Sequence, residues 1–174
     1  TVEGGRIQPR RSATAAIGAL SIGVPSIALG YLLAVDLIAR VGAIVVLLGA
    51  VATLVHALVV ARDHGTWTTD EDWHRLTRWS LRAASGWFAA GIVAATGRIL
   101  WFGADPQAWS IVLLAAPLTL GWIVQALVGA ASHLLPAIGP GDQLVYGAKR
   151  AILGRAARTR LVGLNLGVAL LWAG

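Results

Sequence analysis

The chain has 174 residues, of which 57% are hydrophobic and 13% charged, and its formal net charge is +6. A soluble globular domain carries about 25% charged residues, so this composition favours an integral membrane protein. The chain has no cysteine, which excludes disulfides, thiolate metal sites, iron–sulfur clusters and c-type haem within it. Its basic residues form no stripe with interleaved aromatics, so we expect a lipid bilayer rather than nucleic acid as its partner.

Five apolar stretches are predicted to be membrane spans, and four of them have at least the roughly 20 residues that a spanning helix needs, whereas the fifth, as far as the sequence goes, is too short to cross the bilayer core. They cover about 13–35, 41–61, 83–102, 109–135 and 161–174. A helix is expected to begin near residues 68–71, run along the interface and enter the membrane near residue 83. The pattern predicts an all-α integral membrane helical bundle, a single transmembrane domain over residues 1–174 with about five transmembrane helices.

Interruptions of the apolar stretches predict where the helices bend and turn. Pro25 and Pro117 are expected to kink the first and fourth spans, and residues 36–40 are expected to form a tight outer turn. The chain contains no methionine, not even at residue 1, and it ends inside an apolar run. We therefore expect it to be a fragment of a longer chain.

The basic residues predict the orientation of the bundle. Only Arg40 and Arg98 fall on one side of the predicted membrane, and the other twelve of the fourteen fall on the opposite side. Those twelve are Arg6, Arg10, Arg11, Arg62, Arg75, Arg78, Arg82, Lys149, Arg150, Arg155, Arg158 and Arg160. Because short loops rich in Lys and Arg stay cytoplasmic, we expect a cytoplasmic N-terminus.

Two histidines are the main functional candidates. His56 lies in the second span and His133 in the fourth, and these two spans are predicted to run in the same direction. The imidazoles should therefore lie at similar depth near the inner side, where polar side chains are expensive and so are candidates for function. A histidine on each of two helices would supply the two axial ligands of b-type haem. Copper is the alternative ligand of His56 and His133.

Small residues share the helix faces of both histidines. They are Gly49, Ala52 and Thr53 beside His56, and Ala126, Gly129 and Ala130 beside His133. Such faces would leave room for a flat macrocycle, and Arg62 at the inner boundary would meet a haem propionate. The same pattern is also typical of membrane helices that pack closely, with histidine as interhelical glue.

Contacts are also predicted for three further polar or aromatic residues, Gln125, Asn165 and Trp87. Gln125 lies two turns from His133 on the same face and would bond a quinone carbonyl, a haem edge or another helix. Asn165 is expected to bond another helix, and Trp87 is expected to pack. The predicted spans contain no Asp or Glu, which disfavours an ion-coupled transporter.

Two stretches of the second half carry a resemblance to known proteins. They are GWIVQALVGAASHLLP at residues 121–136 and RTRLVGLNLGV at residues 158–168. They resemble membrane regions attached to actinobacterial multicopper oxidase or copper nitrite reductase-like domains, and are loosely similar to NnrS-type and haem-copper oxidase subunit I-type helices. The resemblance implies a redox module associated with haem or copper, quinol oxidation and an extracytoplasmic copper domain. His133, and more weakly Gln125, lie in the resembling motif.

Three functions therefore follow from the sequence as hypotheses. The first is a membrane redox module that transfers electrons, binds b-type haem between His56 and His133 and oxidises quinol, as part of a membrane oxidoreductase. The second is a non-catalytic membrane subunit or anchor that packs against other membrane subunits. The third is a small-molecule transporter.

Overall fold

The computed structural model describes residues 11–62, 71–106, 111–138 and 141–174, and these ranges are helical with short connections. The helices are α1 (Arg11–Leu32), α2 (Asp36–Arg62), α3 (Glu71–Phe102), α4 (Ile111–Ala115), a π-helical segment (Ala116–Val124), α5 (Gln125–Leu134), a 3-10 turn (Leu135–Ala137), α6 (Gln143–Gly154) and α7 (Ala157–Ala173). The described residues contain no strand. The predicted all-α class is confirmed.

Four helical stretches are long and apolar enough to cross a membrane. They are Arg11–Leu32, Asp36–Arg62, Arg75–Phe102 and Leu113–Leu134, and they correspond to the first four predicted spans. Helix α7 has 17 residues and is not among them. At about 1.5 Å per residue it covers about 26 Å, which is less than the roughly 30 Å of a bilayer core. The described residues thus support four candidate spans rather than five.

The boundaries of two predicted elements differ from the structure. The first turn lies at residues 33–35 rather than 36–40, and α2 already begins at Asp36. A carboxylate in the first turn is favoured by the helix dipole, which explains why Asp36 joins the helix. Helix α3 is continuous from Glu71 to Phe102, as expected, although residues 68–70 lie outside the described residues.

The two prolines have different surroundings: Pro117 lies in a π-helical segment of the fourth helical stretch, whereas Pro25 lies within the continuous α-helix α1. Proline lacks the N–H that an α-helix needs, and a π-helical segment is one way to accommodate the missing hydrogen bond. The segment begins at Ala116 and ends at Val124, where α5 takes over. At Pro117, where the sequence predicts a kink, the structure has a nine-residue π-helical segment.

The chain divides into two compact units. The first, called the hairpin unit, includes residues 11–62, 89–106 and 111–114, and the second, called the amide unit, includes residues 71–88, 115–138 and 141–174. His56 belongs to the hairpin unit and His133 to the amide unit. The single domain predicted for the whole chain stays a prediction.

Small residues hold α1 and α2 together in the hairpin unit. A methyl group added at Gly30 would lie 2.5 Å from the backbone nitrogen of Ala39. Added at Gly42, it would lie 2.7 Å from the backbone nitrogen of Ile27. Membrane helices approach this closely only where side chains are missing, so these glycines fix the register of α1 against α2.

The turn between α1 and α2 also binds the C-terminal end of α3. The Asp36 carboxylate accepts a hydrogen bond of 2.8 Å from the backbone N–H of Ala104. The Tyr31 hydroxyl donates to the carbonyl of Gly103 over 3.0 Å. Gly103 has φ +70°, a left-handed conformation that suits glycine at a helix C-terminus. These contacts satisfy backbone groups of the turn that follows α3.

Candidate functional site

His56 bonds a side chain of the neighbouring helix. Its Nδ1 lies 3.2 Å from the Ser12 hydroxyl of α1, and the side chain is half-buried. Which atom donates depends on the tautomer of the ring. One nitrogen of His56 thus already has a helix-to-helix hydrogen bond, as expected of an interhelical polar contact.

The small face beside His56 is covered by α1. A methyl group added at Gly49 would lie 3.0 Å from Leu20 and 3.1 Å from Ala19. The Thr53 hydroxyl donates back to the carbonyl of Gly49 over 2.9 Å. The space that Gly49 opens is therefore taken by side chains of α1. Arg62 lies in the last turn of α2 and is exposed.

His133 follows a serine that links α5 to α3. The Ser132 hydroxyl donates to the Gly129 carbonyl over 2.8 Å and lies 2.8 Å from the Thr77 hydroxyl. Because Ser132 has one hydrogen to donate, Thr77 must donate to Ser132. Thr77 is 3% exposed, so this pair lies inside the amide unit. His133 itself is half-buried in the last turn of α5.

Gly129 serves the same contact between helices. A methyl group added there would lie 3.2 Å from Ser80 and 3.2 Å from Leu81, both on α3. This separation is tighter than ordinary van der Waals contact, so the face of α5 that contains Gly129 lies directly against α3. As with Gly49, the missing side chain admits a neighbouring helix.

A polar cluster of Trp87, Gln125 and Asn165 lies within the amide unit. Gln125 is fully buried, and its Nε2 donates to the Asn165 Oδ1 over 3.1 Å. The indole N–H of Trp87 donates to the same oxygen over 2.6 Å. The cluster joins α3, α5 and α7 through one amide oxygen.

The tryptophan fixes the orientation of both amides. An indole nitrogen is a donor only, so the atom of Asn165 that faces it must be the carbonyl oxygen. The NH₂ group of Asn165 then bonds the Leu161 carbonyl over 2.7 Å, and Gln125 must present its own NH₂ to the shared oxygen. The Oε1 of Gln125 is buried and has no hydrogen-bond partner among the described residues.

Further aromatic contacts lie on the helical stretches that form this cluster. The ring of Trp87 meets that of Trp172 edge to face with centroids 5.8 Å apart. Gly121 lies against the Trp87 ring so closely that an added methyl group would overlap it. Phe88 and Trp122 stack at a tilt with centroids 4.5 Å apart. The expected interhelical role of Asn165 is confirmed. The hydrogen bond of Trp87 was not predicted, because a tryptophan in an apolar run indicates only that its side chain packs.

The structure leaves the predicted pairing of His56 with His133 as a prediction, since the two residues belong to different units. Within the described ranges, no group of three or more His, Asp or Glu side chains is placed to hold a metal ion. Two histidines alone would suffice for axial haem ligation. What the described residues do provide is close helix contact at Gly49 and Gly129 and interhelical bonding at Gln125.

No protein-family model, curated protein or solved structure matches this chain.

Proposed function

We propose that the chain is a non-catalytic membrane subunit or anchor, built as a helical scaffold within the bilayer. One observation carries the proposal: three residues with the pattern of a cofactor site are used to join helices. Gly49 admits α1, Gly129 admits α3, and Gln125 bonds α7 through Asn165. A scaffold needs such contacts, and it needs no bound group between them.

The finer features of this proposal come from the sequence. The scaffold has its N-terminus in the cytoplasm, lies in a bacterial plasma membrane and uses α7 as a fifth span. Its partners are other membrane subunits, among which an extracytoplasmic copper domain is the candidate that the resemblance implies. Four apolar helices of sufficient length support a bilayer location.

The second proposal is the redox module, with His56 and His133 as axial ligands of b-type haem beside a quinol. It is favoured by one observation, namely that both imidazoles are half-buried on apolar helices. When bound, the haem would supply one-electron transfer, and Arg62 would meet its propionates. In a variant of this proposal, His56 and His133 bind copper instead of haem.

An absorption spectrum with metal analysis separates the two proposals. For the scaffold, we expect purified detergent-solubilised protein to be colourless, free of stoichiometric metal and fully helical by circular dichroism. For the redox module, we expect a Soret band that His56→Ala and His133→Ala each abolish while His64→Ala keeps it. A Soret band with that pattern would refute the scaffold proposal, and colourless protein of intact helicity would refute the redox proposal.

A further inference from the structure

An open groove of about 350 Å³ lies between α3 and α7 in the amide unit. A volume in the range of about 300–1,000 Å³ is usual for small-molecule sites. The groove is lined by Trp79 and Ala83 of α3 and by Leu161, Val162, Asn165 and Leu166 of α7. Five of these six side chains are apolar or aromatic, so the groove suits a hydrocarbon ligand.

Both polar groups of Asn165, the one amide of the lining, already take part in hydrogen bonds. Asn165 accepts from Trp87 and Gln125 and donates to the carbonyl of Leu161. Its oxygen already accepts two hydrogen bonds and is therefore no acceptor for a ligand in the groove. A ligand in the groove gains from apolar burial rather than from hydrogen bonds.

Arginines flank the groove on both helices. Arg75 and Arg82 lie four residues before and three residues after Trp79, so they share its face of α3. The Arg75 guanidinium lies over the Trp79 ring, 6.0 Å from its centroid. Arg158 lies four residues before Val162 and shares its face of α7. All three arginines are exposed, so positive charge borders an apolar groove.

The charge around the groove is strongly unbalanced. The described residues of the amide unit contain eight basic side chains and three acidic ones, Glu71, Asp72 and Asp142. The Asp142 carboxylate is engaged at the N-terminus of α6, where it accepts from the backbone N–H groups of Leu144 and Val145. Basic side chains therefore outnumber acidic ones among these described residues, which favours an anionic ligand.

We propose that the groove binds one anionic phospholipid, with an acyl chain against Trp79, Ala83 and Leu166 and its phosphate near Arg82 and Arg158. The apolar groove and the arginines together match a ligand with both an acyl chain and a negative charge. Free phosphate has no acyl chain to fill the groove, and a neutral lipid has no net negative charge to pair with the arginines. A second copy of this chain is disfavoured because its own basic edge would repel this one. Basic sites at the cytoplasmic ends of membrane helices recognise anionic headgroups in this way.

The first test neutralises the arginines in the full-length chain. Phosphatidylglycerol and phosphatidylcholine are titrated onto detergent-solubilised protein, and bound lipid is counted by native mass spectrometry. We expect Arg82→Gln with Arg158→Gln to weaken phosphatidylglycerol binding about thirtyfold, because each basic residue near anionic lipid contributes about 1 kcal/mol. The matched control, Arg11→Gln with Arg62→Gln, removes two exposed charges from the hairpin unit and should keep the affinity.

The second test fills the groove without changing the charge. Ala83→Leu should reduce phosphatidylglycerol binding, whereas Ala28→Leu, at an exposed position of α1, should not. Equal binding by the arginine variant and its control, or equal binding of the two lipids, would overturn the proposal. A concentration-dependent dimer that Ala83→Leu abolishes would instead assign the groove to a second copy. The count of bound lipid is independent of the absorption spectrum, so this proposal and the scaffold proposal fail separately.

Discussion

At the scale of single residues, Asn165 links three helices of the amide unit, α3, α5 and α7. Its oxygen serves two donors from two other helices, and its NH₂ group closes a bond within α7. Removing it would leave the Trp87 indole and the buried Gln125 amide without their shared acceptor. The loss of one residue would therefore cost two interhelical hydrogen bonds.

We expect Asn165→Leu to lower the free energy of unfolding in detergent by about 1–2 kcal/mol, since each stranded polar group loses its partner away from water. Thermal unfolding followed by circular dichroism measures the change. Thr159→Ala, at an exposed polar position on the same helix, serves as the control and should have little effect. A loss no larger than that of the control would contradict the role assigned to the shared oxygen.

A double substitution shows whether Gln125 acts through Asn165. With Asn165→Leu in place, adding Gln125→Leu removes a buried amide that has already lost its acceptor. The combined loss should therefore be smaller than the sum of the two single losses. Strictly additive losses would mean that the two amides stabilise the unit independently.

The sequence indicates that Asn165 is polar within an apolar run, and a polar group at such a depth needs a partner. It does not indicate which partner, because the rotation of α7 relative to α3 and α5 follows from packing of all three helices. The same limit applies to Gly49 and Gly129. Their spacing predicts a small face, but the side chains that fill it, Leu20 for one and Leu81 for the other, come from distant parts of the chain.

At the scale of helices, the contact of α1 with α2 tests whether small residues set the distance between them. Gly30 and Gly18 lie on the same helix, but a methyl group added at Gly30 would strike the backbone of Ala39, whereas one added at Gly18 would meet no atom within 4 Å. The two glycines therefore form a matched pair for one substitution.

We expect Gly30→Ala to lower the free energy of unfolding by about 1–3 kcal/mol, as usual when extra volume is forced into a tight contact. Gly18→Ala should be neutral or stabilising by up to about 1 kcal/mol, because alanine favours a helix over glycine. Unfolding midpoints of the two variants under identical conditions measure the difference. If both variants shift the midpoint equally, contact with α2 is not what selects glycine at position 30.

The sequence predicted four of the helices well because long apolar runs bounded by charges leave little choice of structure. The start of α2 at Asp36 was not predicted because an acidic residue after an apolar run is compatible with a turn as well as with the start of a helix. The π-helical segment was missed for another reason. Proline predicts a broken hydrogen-bond ladder, but its repair depends on the surroundings of Pro117 and Gly121, which are both buried.

At the scale of the whole molecule, the placement of charge determines how the chain is expected to cross the bilayer. Residues 143–160 carry five basic side chains and no acidic one, whereas residues 103–106 carry a single charge, that of Asp105. Among the described residues, Leu113–Leu134 is the one candidate span between these two segments. Basic segments near the ends of spans are retained in the cytoplasm, so the two segments should lie on opposite sides, with residues 143–160 inside.

Cysteine labelling tests this orientation cleanly because the chain has no cysteine of its own. Asp105→Cys replaces an exposed residue beyond α3, and Gly154→Cys replaces an exposed glycine where an added methyl group meets no atom within 4 Å. A membrane-impermeant maleimide should label Asp105→Cys in intact cells and Gly154→Cys only after permeabilisation, with the cysteine-free chain as the blank. The reverse pattern would invert the orientation and move the lipid groove to the outer leaflet. Labelling of both from outside would mean that Leu113–Leu134 does not cross, since a single crossing must separate the two positions.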